Sequence, residues 1–253
     1  MARFLGDRWL ELVSLPLLLL IWQLLAMIIQ HRLLPTPGMV AVELADLAVN
    51  GRLLEDLGKT LYRAMSAFAI AMVVGSLLGL FLGRFGKLDR LFNSWLVVGL
   101  NIPAIVVAIA CYIWLGLNEF ALITAVVINK TPLVITNIRE GVRNLSDDFA
   151  ELSRVYRLAP MRHLRLVLLP QLMPYVLVAA RTGLSLIWKI VLVFEILGSD
   201  GGVGFRVSMF FQFFDMKGIL AYTVAFIGIV LMFEYMILRP FEKKVLGWRM
   251  VPV

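Results

Sequence analysis

An all-α, polytopic membrane protein with about six transmembrane helices is the fold this sequence predicts, and three observations predict it. Of its 253 residues, 61% are hydrophobic and only 16% are charged, where soluble domains carry about 25% charged residues. Apolar runs of about twenty residues recur along the chain, each long enough to cross about 30 Å of hydrocarbon. Lys and Arg collect in alternate connecting loops, as topology requires. Mean hydropathy is +0.90. No internal repeat or low-complexity segment divides the chain, so 1–253 reads as a single transmembrane domain.

The first span runs from about Trp9 to Ile29. Arg3 and Arg8 precede it as in a signal peptide. The apolar run from about Leu12 to Ile29 exceeds the roughly 7–15 residues of a signal core, however, and no Ala-x-Ala site follows, so it reads as a retained span. The connector Pro35–Thr60 carries Val42, Leu44, Leu47, Leu53, Leu54 and Leu57, a pattern that fits interfacial helices or a plain linker. The second span covers about Leu61–Leu82, with Gly75, Gly79 and Gly83 at every fourth position. That spacing lets helix backbones approach closely in a bilayer, either inside one subunit or at a dimer seam. The third span, Phe92–Leu115, holds Cys111, which has no second Cys to bridge to and reads as a small core residue. Phe120–Ile138, Pro174–Leu197 and Gly218–Leu238 complete the set. Between the last two, a Gly-rich turn at Gly198–Gly204 precedes aromatics from Phe205 to Phe214, which pack on the membrane surface or close the outer end of a pathway.

With the N terminus inside, about fifteen Lys and Arg fall in inside loops, among them Arg84, Lys87, Arg139, Arg154, Arg157 and Lys243. About six fall outside: Arg32, Arg52, Lys59, Arg63, Arg206 and Lys217. Both termini and the central loop are therefore expected on the cytoplasmic side. The formal net charge of +7 is a topology signal and not a nucleic-acid footprint.

The central loop, about residues 145–172, interrupts the oily chain with charge. Ser146 suits a helix N-cap, with Asp147 and Asp148 in the first turn where the dipole favours negative charge. Phe149, Leu152, Tyr156 and Ala159 recur at helical spacing and make one face apolar. Glu151, Arg154 and Arg157 point elsewhere, and Pro160 is expected to break the helix. A second short segment carries Arg162, His163 and Arg165 to Leu169-Pro170. A greasy face with a basic rim suits docking onto a soluble partner.

These residues resemble a known family. Glu151-Leu152-Ser153, then Arg157 and Leu169-Pro170, are similar to the EAA loop of bacterial ABC-importer permeases. Glu and Leu-Pro stand at the family spacing; Leu152 and Ser153 replace two Ala, and Arg157 replaces a Gly. Leu34-Pro35-Thr36-Pro37, Asn101-Ile102-Pro103 and Trp188…Glu195…Gly198…Gly202-Val203-Gly204 extend the resemblance to the nitrate/sulfonate/taurine-type permeases over nearly the whole chain. It implies a type I ABC-importer-like permease fold with a cytoplasmic coupling helix in the bacterial inner membrane. It also implies a homodimer, two ABC ATPase subunits that bind the ATP and Mg, and a periplasmic solute-binding protein. The coupling residues on this reading are Glu151, Leu152, Ser153, Tyr156, Arg157 and Ala159. With Arg in place of Gly, residue 157 is expected to be helical or to contact an acidic patch on the ATPase.

Several motifs bear on chemistry. Gly58-Lys59-Thr60 looks like the tail of a phosphate-binding loop, but Leu53 stands where that motif needs Gly. The chain therefore carries no ATP-binding machinery of its own and no cofactor is expected in it. His31 and His163, the only histidines, fall on opposite sides of the membrane, so no metal set or catalytic triad can be assembled. Lys130, Arg181 and Lys189 interrupt the later spans, where a charge costs about 2.5–3.5 kcal/mol on insertion scales. Arg181 can snorkel to the cytoplasmic side. Asn129, Lys130, Trp188, Lys189 and Glu195 are the candidates for a substrate pathway, with the lysines attracting an anion. Alternatively the lysines pair with Glu195 or another carboxylate, and Glu195 either supports an outer gate or pairs. Glu234 is expected at the inner interface or paired with Lys243 or Lys244. The rival reading is a stand-alone secondary transporter, which needs mid-membrane carboxylates for its coupling ion. A scaffold that only binds a partner is the third.

Overall fold

The computed structural model describes residues 8–146, 148, 151, 153 and 155–246. The described residues contain helices and no strand. Helix α1, Arg8–Ile29, is apolar from Val13 onward and matches the first expected span. It leans on the body through buried Ala26 and through Trp22, whose Nε1 donates to the Pro35 carbonyl at 3.0 Å. Leu15, Leu18, Leu20 and Ile28 remain exposed, as suits a lipid-facing helix. The connector after α1 is partly helical: α2, Pro37–Val49, starts with Thr36 Oγ1 accepting from the Met39 N–H at 3.3 Å. Pro at the first helical position loses nothing, because that N–H has no helical acceptor anyway.

Helix α3, Leu53–Arg84, spans 32 residues and begins eight residues before the expected Leu61. Asp56, Thr60 and Arg63, which read as loop polarity, are buried in this helix beside Leu53 and Leu57. The expected third span is two helices, α4 (Gly86–Asn101) and α5 (Ala104–Leu115), bent by 94°. Pro103 is the reason. It has no N–H to continue the ladder and biases the preceding residue out of the helical region; Ile102 is extended, at φ −64° and ψ 126°.

Helix α6, Glu119–Arg143, opens on Asn118, whose side chain accepts from the Ala121 N–H at 2.8 Å. It crosses α3 at the three glycines. A Cβ on Gly75 would lie 2.6 Å from Val134 Cβ, one on Gly79 2.8 Å from Ile138 Cβ, and one on Gly83 2.6 Å from Val142 Cβ. The glycine stripe is thus an α3–α6 seam inside one subunit. Near its C-terminal end Arg139 bonds to Asp89 and Asn93, both at 3.0 Å, and Arg143 also pairs with Asp89. Arg139 and Arg63 are buried, so neither counts as a loop cation.

After the central loop come α7 (Pro160–His163), a π turn (Leu164–Leu168) and α8 (Leu169–Gly198). Then follow α9 (Val203–Gln212), α10 (Met216–Phe233), a second π turn (Glu234–Leu238) and α11 (Arg239–Leu246). Among the described residues, Leu53–Arg84, Glu119–Arg143, Met161–Gly198 and Met216–Lys244 are long and apolar enough to cross a membrane, and the bent α4–α5 pair is so only when its two halves are counted together, as a broken span or a re-entrant loop. With α1, whose apolar part Val13–Ile29 is shorter, this approximates the expected six. The core gathers Ala64, Ala67, Cys111, Leu122, Val126, Leu184, Ile187 and Phe194 from α3, α5, α6 and α8.

Candidate functional site

The central loop leaves the body after α6 and returns through α8. Its start is tied down where the Ser146 N–H donates to Gln171 Oε1 at 3.1 Å. Residues 148, 151, 153 and 155 are helical; Asp147, Phe149, Leu152 and Arg154 lie outside the described residues. Glu151, Val155, Tyr156, Arg157 and Ala159 are exposed, while Ser153 is buried. The helix stops before Pro160, at Arg157, which has φ +45°. The Leu158 N–H reaches the Ser153 carbonyl at 3.0 Å. A left-handed residue followed by a six-to-one bond is the Schellman cap. Arg157 is therefore not helical: it takes the conformation that favours Gly. Ala159 is not on this helix either; its carbonyl accepts from the His163 N–H at 2.9 Å, so it precedes the next helix, which Pro160 begins. A non-glycine residue in the left-handed region costs about 1–2 kcal/mol. Arg157→Gly is accordingly expected to raise the melting temperature by a few degrees, at about 2–4 °C per kcal/mol for a chain of this size, measured by thermal unfolding of the purified protein.

The pathway candidates separate into three places. Asn129 and Lys130 line a cavity of about 320 Å³ with Ile102, Ala104, Leu186 and Ile190, where α5 leaves the elbow. Lys130 is 8% exposed. Trp188 and Lys189 line a different cavity, of about 530 Å³, between α8 and α10, with Ser185, Thr223 and Phe226. Trp188 is buried and packs edge-on against Phe226 and Phe233, at 6.1 and 5.9 Å between centroids. Lys189 is exposed. Neither lysine pairs with a carboxylate among the described residues, which removes the expectation that they pair with Glu195.

Glu195 has other partners. It is fully buried and accepts from Arg63 at 2.9 Å, Thr60 Oγ1 at 2.9 Å and the Gly204 N–H at 2.8 Å. Arg63 also donates to the Gly201 carbonyl at 2.6 Å, to Glu119 at 3.0 Å and to Asp200 at 3.2 Å. Beside it, buried Asp56 accepts from Arg206 at 2.7 Å, Tyr222 Oη at 3.0 Å and the Gly202 N–H at 3.0 Å. Gly202 has φ +100° and its α-carbon lies against the Glu195 carboxylate, so no side chain fits there. The Gly-rich turn is thus a lid bonded onto two buried carboxylates, and it fastens α3, α6, α8, α9 and α10 together at one end. Of the aromatics that follow, Phe210 packs on Tyr222 at 5.6 Å between centroids, while Phe211, Phe213 and Phe214 are exposed. At the opposite end Arg181 bonds to Glu234 at 3.1 Å and to Glu242 at 3.2 Å. Glu234 is therefore held by Arg181 and, at 3.8 Å, by Arg239, not by Lys243 or Lys244.

Among the described residues no group of three or more His, Cys, Asp or Glu could hold a metal ion. A bundle of apolar spans fastened at both ends, with an exposed helical turn between two of them, defines a polytopic membrane protein. The chain belongs to the family of binding-protein-dependent transport system inner membrane components, whose profile matches residues 62–239. It is 25% identical over 244 residues to a Bacillus subtilis protein named SsuC for aliphatic sulfonates transport, covering 95% of this chain and 88% of that one. It is 27% identical over 206 residues to the nitrate import permease protein NrtB of Synechococcus elongatus, covering 77% and 74%. In fold it is similar to a chain of the inward-facing MetNI methionine ABC transporter, with TM-score 0.66 and 18% identity over 76% of this chain and 95% of that one. It is also similar to a chain of an amino acid ABC transporter, with TM-score 0.61 and 18% identity over 79% and 97%. The chain is a multi-pass inner-membrane component of a binding-protein-dependent transport system, a transport subunit and not an enzyme.

Proposed function

We propose that this permease works as one of two identical copies, carries a compact anion inward and takes its power stroke from two ABC ATPases gripping the central loop. A periplasmic solute-binding protein delivers the solute, and ATP and Mg²⁺ are bound by the ATPases. Both termini and the loop face the cytoplasm. The observation that carries the reading is the loop itself, which presents Glu151, Val155, Tyr156 and Arg157 to solvent on a capped turn between α6 and α8. When ATP draws the ATPases together, such turns act as levers on the spans that hold them. ATP can bias the two states only through contacts that differ between them, and this surface supplies those contacts. The anion is supported by two lysines that have no carboxylate partner among the described residues and by relatives named for sulfonates and nitrate. An ion-coupled carrier needs free carboxylates in its spans; here the buried ones, Asp56, Asp89 and Glu195, are all held by arginines.

The test is uptake into proteoliposomes holding the permease, its ATPase and the binding protein, with labelled nitrate or methanesulfonate. Accumulation that requires ATP inside the vesicle is expected. Accumulation by the permease alone would overturn the reading. Arg157→Glu is expected to lower ATP-driven uptake at least tenfold by reversing charge against the ATPase, while Arg157→Gly keeps the cap. Full assembly and uptake in Arg157→Glu would remove Arg157 from the docking surface.

A further inference from the structure

The cavity beside Lys130 contains more than a lysine. Helix α5 has twelve residues and begins on its wall at Ala104. No side chain caps it. The Val106 and Val107 N–H groups both turn back to the Pro103 carbonyl, at 3.0 and 3.4 Å, so the N–H groups of Ala104 and Ile105 have no acceptor among the described residues. The positive end of the helix dipole therefore opens on the cavity. The same cavity is lined, near the middle of α6, by Lys130, over nine-tenths buried and without an ion pair or side-chain hydrogen bond among the described residues. Asn129, half-buried beside it, likewise bonds to no described residue through its amide. Leu186 and Ile190 of α8 complete an aliphatic wall.

A lysine this deeply placed in a span calls for a counter-charge, and none of the described residues provides one: their buried carboxylates are committed to Arg63, Arg139, Arg143 and Arg206. Broken membrane helices elsewhere use such half-helix N termini to hold anionic groups. We propose that the elbow between α4 and α5 is an anion-binding station, in which the Lys130 ammonium, the Asn129 amide and the first N–H groups of α5 hold the head of a compact oxoanion. The donors belong to two helices that line one cavity of about 320 Å³, which suits several oxygens around one centre better than a lone halide. The aliphatic remainder of the wall accommodates a short tail. Its physiological ligand rests on the importer reading; its chemistry does not.

Equilibrium binding of labelled nitrate and methanesulfonate to the permease–ATPase complex in lipid nanodiscs tests the station without transport. Saturable binding is expected, weakened at least tenfold in Lys130→Met, about threefold to tenfold in Asn129→Ala, and restored in Lys130→Arg. Lys217→Met, a cation on the outer surface, is expected to bind as the parent does. Asn129→Ala reads the same site if Lys130→Met assembles poorly. No saturable binding to the parent complex, or unchanged affinity in both Lys130→Met and Asn129→Ala, overturns the station. If ATP-driven uptake proceeds normally with Lys130→Met at unchanged KM, the station falls and the importer stands. If binding behaves as expected but no anion is accumulated, the station stands and the importer reading falls.

Discussion

Arg63→Met is expected to prevent stable accumulation of the protein in the membrane, or to lower its melting temperature by on the order of 10 °C. Removing one member of a buried ion pair leaves the other charge uncompensated and costs about 3–5 kcal/mol, at about 2–4 °C per kcal/mol for a chain of this length. Arg63 is the strongest case in this structure because one guanidinium serves Glu195, Glu119, Asp200 and the Gly201 carbonyl. Its loss strands a carboxylate that retains only Thr60 and the Gly204 N–H. The Gly-rich turn loses its anchor in the same step. The double variant Arg63→Met/Glu195→Leu distinguishes electrostatics from packing. Replacing both partners by apolar groups is commonly neutral or better, so the double variant is expected to melt above Arg63→Met alone. A double variant no better than the single one would mean that the pair acts through volume and not through charge.

The membrane spans were legible from the sequence because hydrophobic length is a local signal; α6, Glu119–Arg143, overlaps the expected Phe120–Ile138 closely. Charge inside a span defeats the same signal. Arg63 reads as a loop cation because Lys59, Thr60 and Tyr62 surround it, and its partner Glu195 lies 132 residues away. No local pattern records that pairing, although buried arginines in spans call for partners in general. The elbow at Ile102–Pro103 was within reach, since a proline within twenty apolar residues is a reason to expect a break; hydropathy alone joins the halves. At residue 157 the family pattern was a better guide than the residue. The position holds φ +45° with Arg in it because the cap, defined by the Leu158-to-Ser153 bond, dictates the backbone and the side chain follows. Lys130 and Lys189 were visible as anomalies, but only the fold shows that they open onto separate cavities.

The same substitution, Gly to Ala, is expected to have opposite effects at two depths of one helix. At Gly79 the added methyl would stand 2.8 Å from Ile138 Cβ and 2.9 Å from the Ile135 carbonyl. A side chain can turn aside, but a carbonyl held in the α6 ladder cannot, so α3 and α6 must separate. Overpacking of this kind costs about 1–3 kcal/mol, and the separation propagates along the seam to Gly75 and Gly83. Gly79→Ala is therefore expected to melt several degrees lower, and Gly79→Val not to accumulate at all. At Gly58, exposed near the start of the same helix, nothing lies within 4 Å of the new methyl. There the only effect is on backbone freedom, and Ala in place of Gly within a helix gains about 0.5–1 kcal/mol. Gly58→Ala should melt level with the parent or a few degrees higher. Equal gains at both positions would show that helix propensity, and not the α3–α6 contact, governs this span.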